Sequence, residues 1–325
     1  MAPSSVAVHI HPVSRTPESG KEVTVVSAVA VSGPPSPVPK STTEVHSVQG
    51  FGEKHTKRTL ASFTLEDRVV VITGGARGIG LVLGQALITS GAHLAIVDID
   101  IQESKRQAAH LESLFKERNP NGTAQVKVTA HFADVSDPVS VNTAIQEIIA
   151  SHGKIDNLVT SAGFTENYSA VDYPFDRMKK LWGVNVDGSY LFATTVARHL
   201  MERNAPGSIL LIGSMSGNVI NVPQQQTPYN VSKAAVRHMA ASLAVEWAPF
   251  GIRVNCLSPG YMVTALTKKI LAERPDLKEK WTSLTPQGRL GKPEDLIGAA
   301  TFLLSDASEY VTGADLRVDG GYTLI

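Results

Sequence analysis

The chain has 325 residues, somewhat more than one typical domain needs, and its 30 Lys and Arg are balanced by 30 Asp and Glu. Without net charge it lacks the general positive field that draws proteins to nucleic acid or anionic membrane, and no apolar run approaches the roughly 18 to 20 residues of a membrane span. The single cysteine, Cys256, excludes an internal disulfide and a cysteine-based zinc site and fits a reducing compartment, so the expected partner is a small molecule, not nucleic acid or a membrane.

Residues 1–60 stand apart: Pro-rich, without Asp, and without Leu before Leu60. They show no sustained period of 2 or 3.6, and Gly33-Pro34-Pro35-Ser36-Pro37 would interrupt any helix or strand, which predicts a disordered N-terminal extension. Its only arginines are Arg15 and Arg58, and Glu residues interrupt it, unlike a mitochondrial transit peptide. A cytoplasmic location is expected, with mitochondrial import through the extension as the alternative.

From Phe63 on, short apolar runs alternate with amphipathic segments. The first predicted strand, Arg68–Ile72, leads through Thr73-Gly74-Gly75-Ala76-Arg77-Gly78-Ile79-Gly80 into a helix around Leu81–Thr89. A strand feeding a Gly-rich turn into a helix N-terminus leaves backbone N–H groups pointing outward, and glycine lets a pyrophosphate approach them. Gly74, Gly78 and Gly80 form that cradle, with spacing G-x-x-x-G-x-G. The second strand, Leu94–Val97, ends at Asp98, which is placed to accept from the adenosine ribose hydroxyls and to repel a 2′-phosphate, favouring NAD over NADP. Arg77 is the counter-argument: a guanidinium in the loop could pair with a 2′-phosphate or be simply solvated. After a helix over Glu103–Arg118 and a strand over Val126–His131, Asp134 either binds the adenine amino group or caps the next helix, Val139–Ser151.

The fourth strand, Asn157–Thr160, is followed by Thr160-Ser161-Ala162-Gly163 and by the polar residues Glu166 and Asn167. A helical segment spans Phe175–Arg203. The strand Ser208–Ile212 then leads to Ser214, at the carboxyl edge where open α/β sheets bind ligands, and on to Gln224 and Gln226. Glu166, Asn167, Gln224 and Gln226 offer the donors and acceptors that a polyhydroxyl chain requires, or are ordinary loop residues. On the next helix, Ser232–Trp247 with Tyr229 leading into it, Tyr229 and Lys233 stand four residues apart. A cation beside a phenol favours the phenolate and brings its pKa towards the working range of an acid–base group. Strands Arg253–Leu257 and Asp315–Val318 flank a last helix, Pro293–Leu304. Buried strands alternating with helices predict an α/β fold, a single doubly wound Rossmann-type domain with a parallel sheet over 61–325. The ten His show no dense cluster in sequence and read as surface or packing residues, and no metal is predicted.

These motifs together resemble the short-chain dehydrogenase/reductase family from about Phe63 to the C-terminus. The resemblance is carried by Thr73-Gly74-x-x-x-Gly78-Ile79-Gly80, Val184-Asn185-Val186-Asp187-Gly188, Gly213-Ser214-Met215-Ser216-Gly217, Tyr229 with Lys233, and Ser258-Pro259-Gly260 with Thr264. It implies that Tyr229 is the acid–base, that Lys233 lowers its pKa and binds the nicotinamide ribose, that Ser214 positions the reacting oxygen, and that Asn185 holds a water in the proton relay. It implies further that Pro259, Gly260 and Thr264 flank the nicotinamide, that Asn255 is structural, and that long helices around Asn185 and Tyr229 pair in a homotetramer. Where the family has N-N-A-G, this chain has Thr160-Ser161-Ala162-Gly163, which removes the asparagine contacts, while small Ala162 and Gly163 still permit close passage of the cofactor ribose. Ala162–Asn167, Ile212–Gly217 with Pro223–Gln226, and Leu257–Tyr261 are most similar to the fungal NAD-dependent polyol dehydrogenases. The implied reaction moves hydride between nicotinamide and a secondary alcohol or ketone, most simply D-arabinitol and D-ribulose. Reduction of another carbonyl, a hexitol's ketose or a secondary-metabolite ketone, is the alternative. A non-catalytic dinucleotide-binding protein is disfavoured because it has no chemical reason to keep the phenol and ammonium together.

Overall fold

The computed structural model describes residues 59–120 and 125–325, so all but the last two residues of the predicted extension lie outside the described residues. Seven strands make one sheet: β1 (Val69–Thr73), β2 (His93–Asp98), β3 (Val128–Phe132), β4 (Asn157–Thr160), β5 (Gly207–Ile212), β6 (Ile252–Pro259) and β7 (Asp315–Val318). All neighbours are parallel, in the order β3-β2-β1-β4-β5-β6-β7. The chain builds outward from β1 through β3, then crosses back to β4 and builds the other way. The order therefore reverses between β1 and β4, which opens a crevice at their carboxyl ends.

Helices α1 (Gly78–Thr89), α2 (Ile101–Arg118) and α9 (Ile297–Leu304) cover one face, and α3 (Pro138–His152), α5 (Gly188–Glu202) and α6 (Thr227–Trp247) the other. Alternation along β1 decides which side chain serves which face. Val71 belongs to the core cluster that holds Ile145, Phe192 and Val236, whereas Val70 and Ile72 belong to the one that holds Leu83, Leu111 and Leu303. Both faces are covered, so β1, β4 and β5 are buried along their whole lengths, and apolar residues run unbroken through Val69–Ile72 and Ile209–Ile212. Asn255, wholly buried on β6, donates to the Val311 carbonyl and accepts from the Ala314 N–H, which fixes the approach to β7 as the family resemblance implied.

The structure departs from the predicted helices in two places. The segment Phe175–Arg203 is two helices, α4 (Phe175–Trp182) and α5, joined by the wide π-type turn Gly183–Asp187 in which the Gly188 N–H donates to the Gly183 carbonyl. A Cβ on Gly188 would lie 2.9 Å from Val135 Cβ, so close passage of the backbone, which periodicity does not record, requires glycine there. Two further helices, α7 (Ala265–Glu273) and α8 (Pro275–Ser283), occupy a stretch to which the sequence pattern assigned no element. Their signal was short but present: Pro275 at the first helical turn, Asp276 beside it, and Leu277 with Trp281 as a buried i,i+4 pair.

At the β3 edge, histidines of β2, β3 and α3 converge. Thr129 Oγ1 lies 2.8 Å from His131 Nε2 and 2.7 Å from His152 Nε2, and the His93 and His152 rings are 6.3 Å apart. Burial pushes His152 down to about 4, helped by the nearby Lys127, His93 and His131, and burial also lowers His131 against the pull of Glu147. A histidine depressed in the folded state takes up its proton more readily when unfolded. Stability is therefore fully present above the unfolded pKa near 6.5 and is lost as pH falls from about 6.5 towards about 4, by about 1–2 kcal/mol after solvent screening. Urea unfolding at pH 7 and pH 5 should show this loss, and His152→Gln should flatten it.

Candidate active site

The loop after β1 and the start of α1 form one packed unit. Gly74 and Gly78 have φ of 63° and 60°, in the left-handed region. A Cβ on Gly74 would lie 2.8 Å from Ala162 Cα, and one on Gly80 would run into the Gly74 carbonyl oxygen. The loop is thus seated against Thr160–Gly163 across the β1–β4 crevice. Arg77 precedes α1 without capping it by its side chain, so the first N–H groups of the helix have no side-chain partner. A Cβ built on Gly78 would meet no atom within 4 Å, which marks the open side of the cradle. Close-packed glycines below and uncapped amides facing open space fit a dinucleotide pyrophosphate.

Beyond the cradle, Asp98 ends β2 at 9 % exposure. Its Oδ2 accepts from the Ala76 N–H at 3.2 Å and its Oδ1 from the Asp100 N–H at 3.1 Å, which fixes the carboxylate while leaving each oxygen a further lone pair. Arg77 is not simply solvated, as one reading of the sequence had it. It donates from Nη2 to Asp100 Oδ2 at 2.6 Å, and Asp100 also caps α2 by accepting from the Glu103 N–H. Asp134 does not cap α3; Asp137 does, accepting from the Val139 and Ser140 N–H groups. Asp134 instead holds a local turn by accepting from the backbone and hydroxyl of Ser136.

The polar centre lies where β5, α6 and the π-type turn meet. Tyr229 and Lys233 share α6, one turn apart, with Lys233 Nζ 5.8 Å from the centre of the Tyr229 ring. The ammonium donates to the Ile212 carbonyl at 2.8 Å. Ser214, just past β5, accepts from the Ser216 N–H, and its hydroxyl acts on the Tyr229 phenol. Burial pushes the Tyr229 phenol up and the Ser214 hydroxyl pulls it back, while burial lowers Lys233 to about 8. Lys233 directs a proton at a backbone carbonyl, and its part in lowering the phenol belongs to the proposed function.

Asn185 sits in the π-type turn, wholly buried. Its Oδ1 accepts from the Phe164 N–H at 3.1 Å, and its Nδ2 donates to the Phe164 carbonyl and to Ser232 Oγ, both at 3.0 Å. Both amide hydrogens are thus taken by protein groups. A Cβ on Gly163 would lie 3.1 Å from Asn185 Oδ1 and 3.7 Å from Lys233 Nζ, so glycine there lets the two side chains converge. Trp182 ties this turn to α6 by donating to the Pro228 carbonyl.

The polar residues expected to meet substrate are divided. Glu166 is engaged by Arg177 and by the Tyr173 hydroxyl, and the guanidinium holds its carboxyl below the usual range. Asn167 is exposed. The Gln224 amide lies 3.0 Å from the Tyr261 phenol oxygen, and Tyr261 stacks on Trp281 with ring centres 4.1 Å apart, a link between the loop after β5 and α8 that the sequence reading missed. Gln226 is buried among Ser216, Asn221 and Asn230. The Gly260 N–H continues the β6–β7 pairing by donating to Val318, and Thr264 Oγ1 accepts from the Thr267 N–H at the head of α7. A cavity of about 410 Å³ opens beside Gly260, Tyr261, Gln287 and Asp319; Ser214, Tyr229 and Lys233 are not in its lining. The polar centre is a better candidate for chemistry than this cavity because only there do a phenol, an ammonium and a hydroxyl converge. Among the described residues no His, Cys, Asp or Glu group could hold a metal ion.

A family profile described as enoyl-(acyl carrier protein) reductase matches residues 74–323. The D-arabinitol 2-dehydrogenase [ribulose-forming] of Scheffersomyces stipitis is 40% identical over 265 residues, covering 80% of this chain and 95% of that protein. Among solved structures, gox2181 superimposes with a TM-score of 0.77 at 36% identity, covering 82% of this chain and all of that one. A gluconate 5-dehydrogenase from Burkholderia cenocepacia, crystallised with NADP and tartrate, gives 0.74 at 34% identity, with 82% and 100% covered. The parallel sheet, the glycine cradle and this shared sequence have one explanation: the chain belongs to the short-chain dehydrogenase/reductase family and is an oxidoreductase that uses a nicotinamide cofactor, NAD or NADP.

Proposed function

We propose that the protein is an NAD-dependent polyol dehydrogenase that interconverts a pentitol and its ketopentose, D-arabinitol and D-ribulose being the first pair to test. The observation that carries this reading is the Tyr229–Lys233–Ser214 centre at the crevice, in a chain 40% identical to a D-arabinitol 2-dehydrogenase. The nicotinamide, when bound, supplies the acceptor or donor of hydride. The Tyr229 phenolate takes the hydroxyl proton as the carbinol becomes a carbonyl and returns it in the reverse direction. Ser214 holds the reacting oxygen beside the phenol. Lys233 supplies positive charge next to the phenol and a donor towards the nicotinamide ribose. Asn185 keeps Phe164 and α6 in register; its part in a water relay belongs to the same proposal.

The cradle of Gly74, Gly78, Ile79 and Gly80, with Ala162 and Gly163 facing it, would hold the pyrophosphate and ribose, and Arg77 and Asp134 would line the adenosine end. Pro259, Gly260 and Thr264 would flank the nicotinamide. Asp98 supports NAD over NADP, because a fixed carboxylate accepts from ribose hydroxyls and repels a 2′-phosphate. Asn167, Glu166 and Gln224 ring the substrate mouth, Glu166 and Gln224 acting through the partners that already hold them. Exposed Tyr190 on α5 and Val231 and Val245 on α6 support pairing of these helices in a homotetramer. A cytoplasmic location is part of the proposal; no helix among the described residues is long and apolar enough to cross a membrane.

One observation favours a second reading. Ile220 and Val222, in the loop after Ser214, are 74 % and 46 % exposed, as a site for a less polar ketone would require. Pentitols, hexitols, ketoses and hydrophobic alcohols or ketones should be assayed with both cofactors. The expected result is oxidation of a pentitol with NAD at a kcat/KM at least about tenfold above that with NADP, the value of one charge-assisted contact. Turnover of bulky ketones without polyols would replace the first reading by the second.

A further inference from the structure

Arg77 is the cation of the glycine loop that could reach the 2′-position of an adenine ribose held by Asp98, and the structure gives it another partner. Its guanidinium donates to Asp100 Oδ2 at 2.6 Å. Asp100 cannot easily follow Arg77 away, because its Oδ1 caps α2 on the Glu103 N–H at 3.1 Å and its own N–H is bound to Asp98 Oδ1. Two carboxylates, two residues apart and joined by that backbone bond, thus stand at the ribose end. The Glu103 N–H and the Arg77 guanidinium hold Asp100's carboxyl below the ordinary range, so it stays charged at working pH.

We propose that Asp100 is a specificity-determining residue for the cofactor, acting by occupying Arg77 and by placing a second negative charge where a 2′-phosphate would sit. This rests on the proposed NAD preference and deepens it. Asp98 accounts for the affinity for ribose hydroxyls, whereas Asp100 accounts for the failure of a loop arginine to recruit the phosphate. The ion pair is exposed, with side chains 65 % and 44 % accessible, so it is weak enough for one substitution to release Arg77.

Asp100→Asn tests this cleanly. Asparagine caps a helix as well as aspartate does, so α2 and the bond to Asp98 should persist while the charge is lost. The readout is direct titration of NADP and NAD by calorimetry, without turnover. In Asp100→Asn the dissociation constant for NADP should fall roughly tenfold and that for NAD should change less than about threefold, as expected for removal of one partly screened like charge and release of one cation. Adding Arg77→Gln should abolish the gain. Unchanged NADP affinity in Asp100→Asn, or a gain that survives Arg77→Gln, would each overturn the proposal. A wild type that prefers NADP would instead overturn the reading of Asp98, so the two failures are distinct.

Discussion

Replacing Tyr229 with phenylalanine should lower kcat by about two to four decades while NAD affinity stays within about threefold of wild type. The substitution removes one oxygen from a side chain whose ring is packed on α6, so the helix and the glycine cradle have no reason to move. What disappears is the one group at the centre able both to donate and to recover a proton beside Ser214. Serine's hydroxyl is too weak an acid at neutral pH, and Lys233 directs its ammonium at the Ile212 carbonyl. Pre-steady-state hydride transfer and NAD titration on the same preparation check both halves of the expectation. Near wild-type turnover in Tyr229→Phe would remove the catalytic assignment and leave only family membership.

Lys233→Met should cost kcat/KM at least about a hundredfold at pH 7 and move its pH profile. The sign follows from the chemistry. Alcohol oxidation needs the phenolate, so its rate rises with pH through the apparent pKa of Tyr229. Burial already pushes that phenol up, and a positive charge 5.8 Å from its ring favours the phenolate. Without the cation the rise should move to higher pH, by about 1–2 units for a charge about 6 Å away at an effective dielectric near 20 to 40. Burial also brings Lys233 down to about 8, so in the wild type its charge fades above that pH, an alkaline feature that Lys233→Met should lack. Lys233→Arg, which keeps the charge but cannot enter the same space beside Gly163, should restore the pH profile more than the rate.

Much of the architecture was legible because the central strands β1, β4 and β5 are buried on both faces and the crossovers between strands are helical. Asn157–Thr160 and Asp315–Val318 have the same limits in sequence and structure, and the other strands differ by a residue or two at their ends. The glycine cradle and the Tyr229–Lys233 pair were legible too, since both follow from local spacing on one turn or one helix. What spacing does not carry is who holds whom across the fold. Glu166 looked like a free acceptor, but Arg177, eleven residues on and on another element, claims it. Arg77 looked solvated or available, and Asp100 engages it from across the β1–β2 gap. The push of burial on the Tyr229 phenol, a property of everything packed around it, is likewise invisible in the spacing. Helices α7 and α8 escaped because each has only nine residues, too few for a period to stand out from composition.

The clamp of Asn185 on Phe164 gives the centre a built-in clock. Phe164 lies in the loop between β4 and α4, where amide protons ordinarily exchange with solvent quickly, but its N–H is bonded to a wholly buried carboxamide. Its deuterium uptake should resemble that of the core strands more than that of its neighbours, and it should speed up only when the π-type turn opens. One backbone amide, followed by hydrogen exchange, would therefore report how often Asn185, α6 and the substrate loop come apart together in the intact protein.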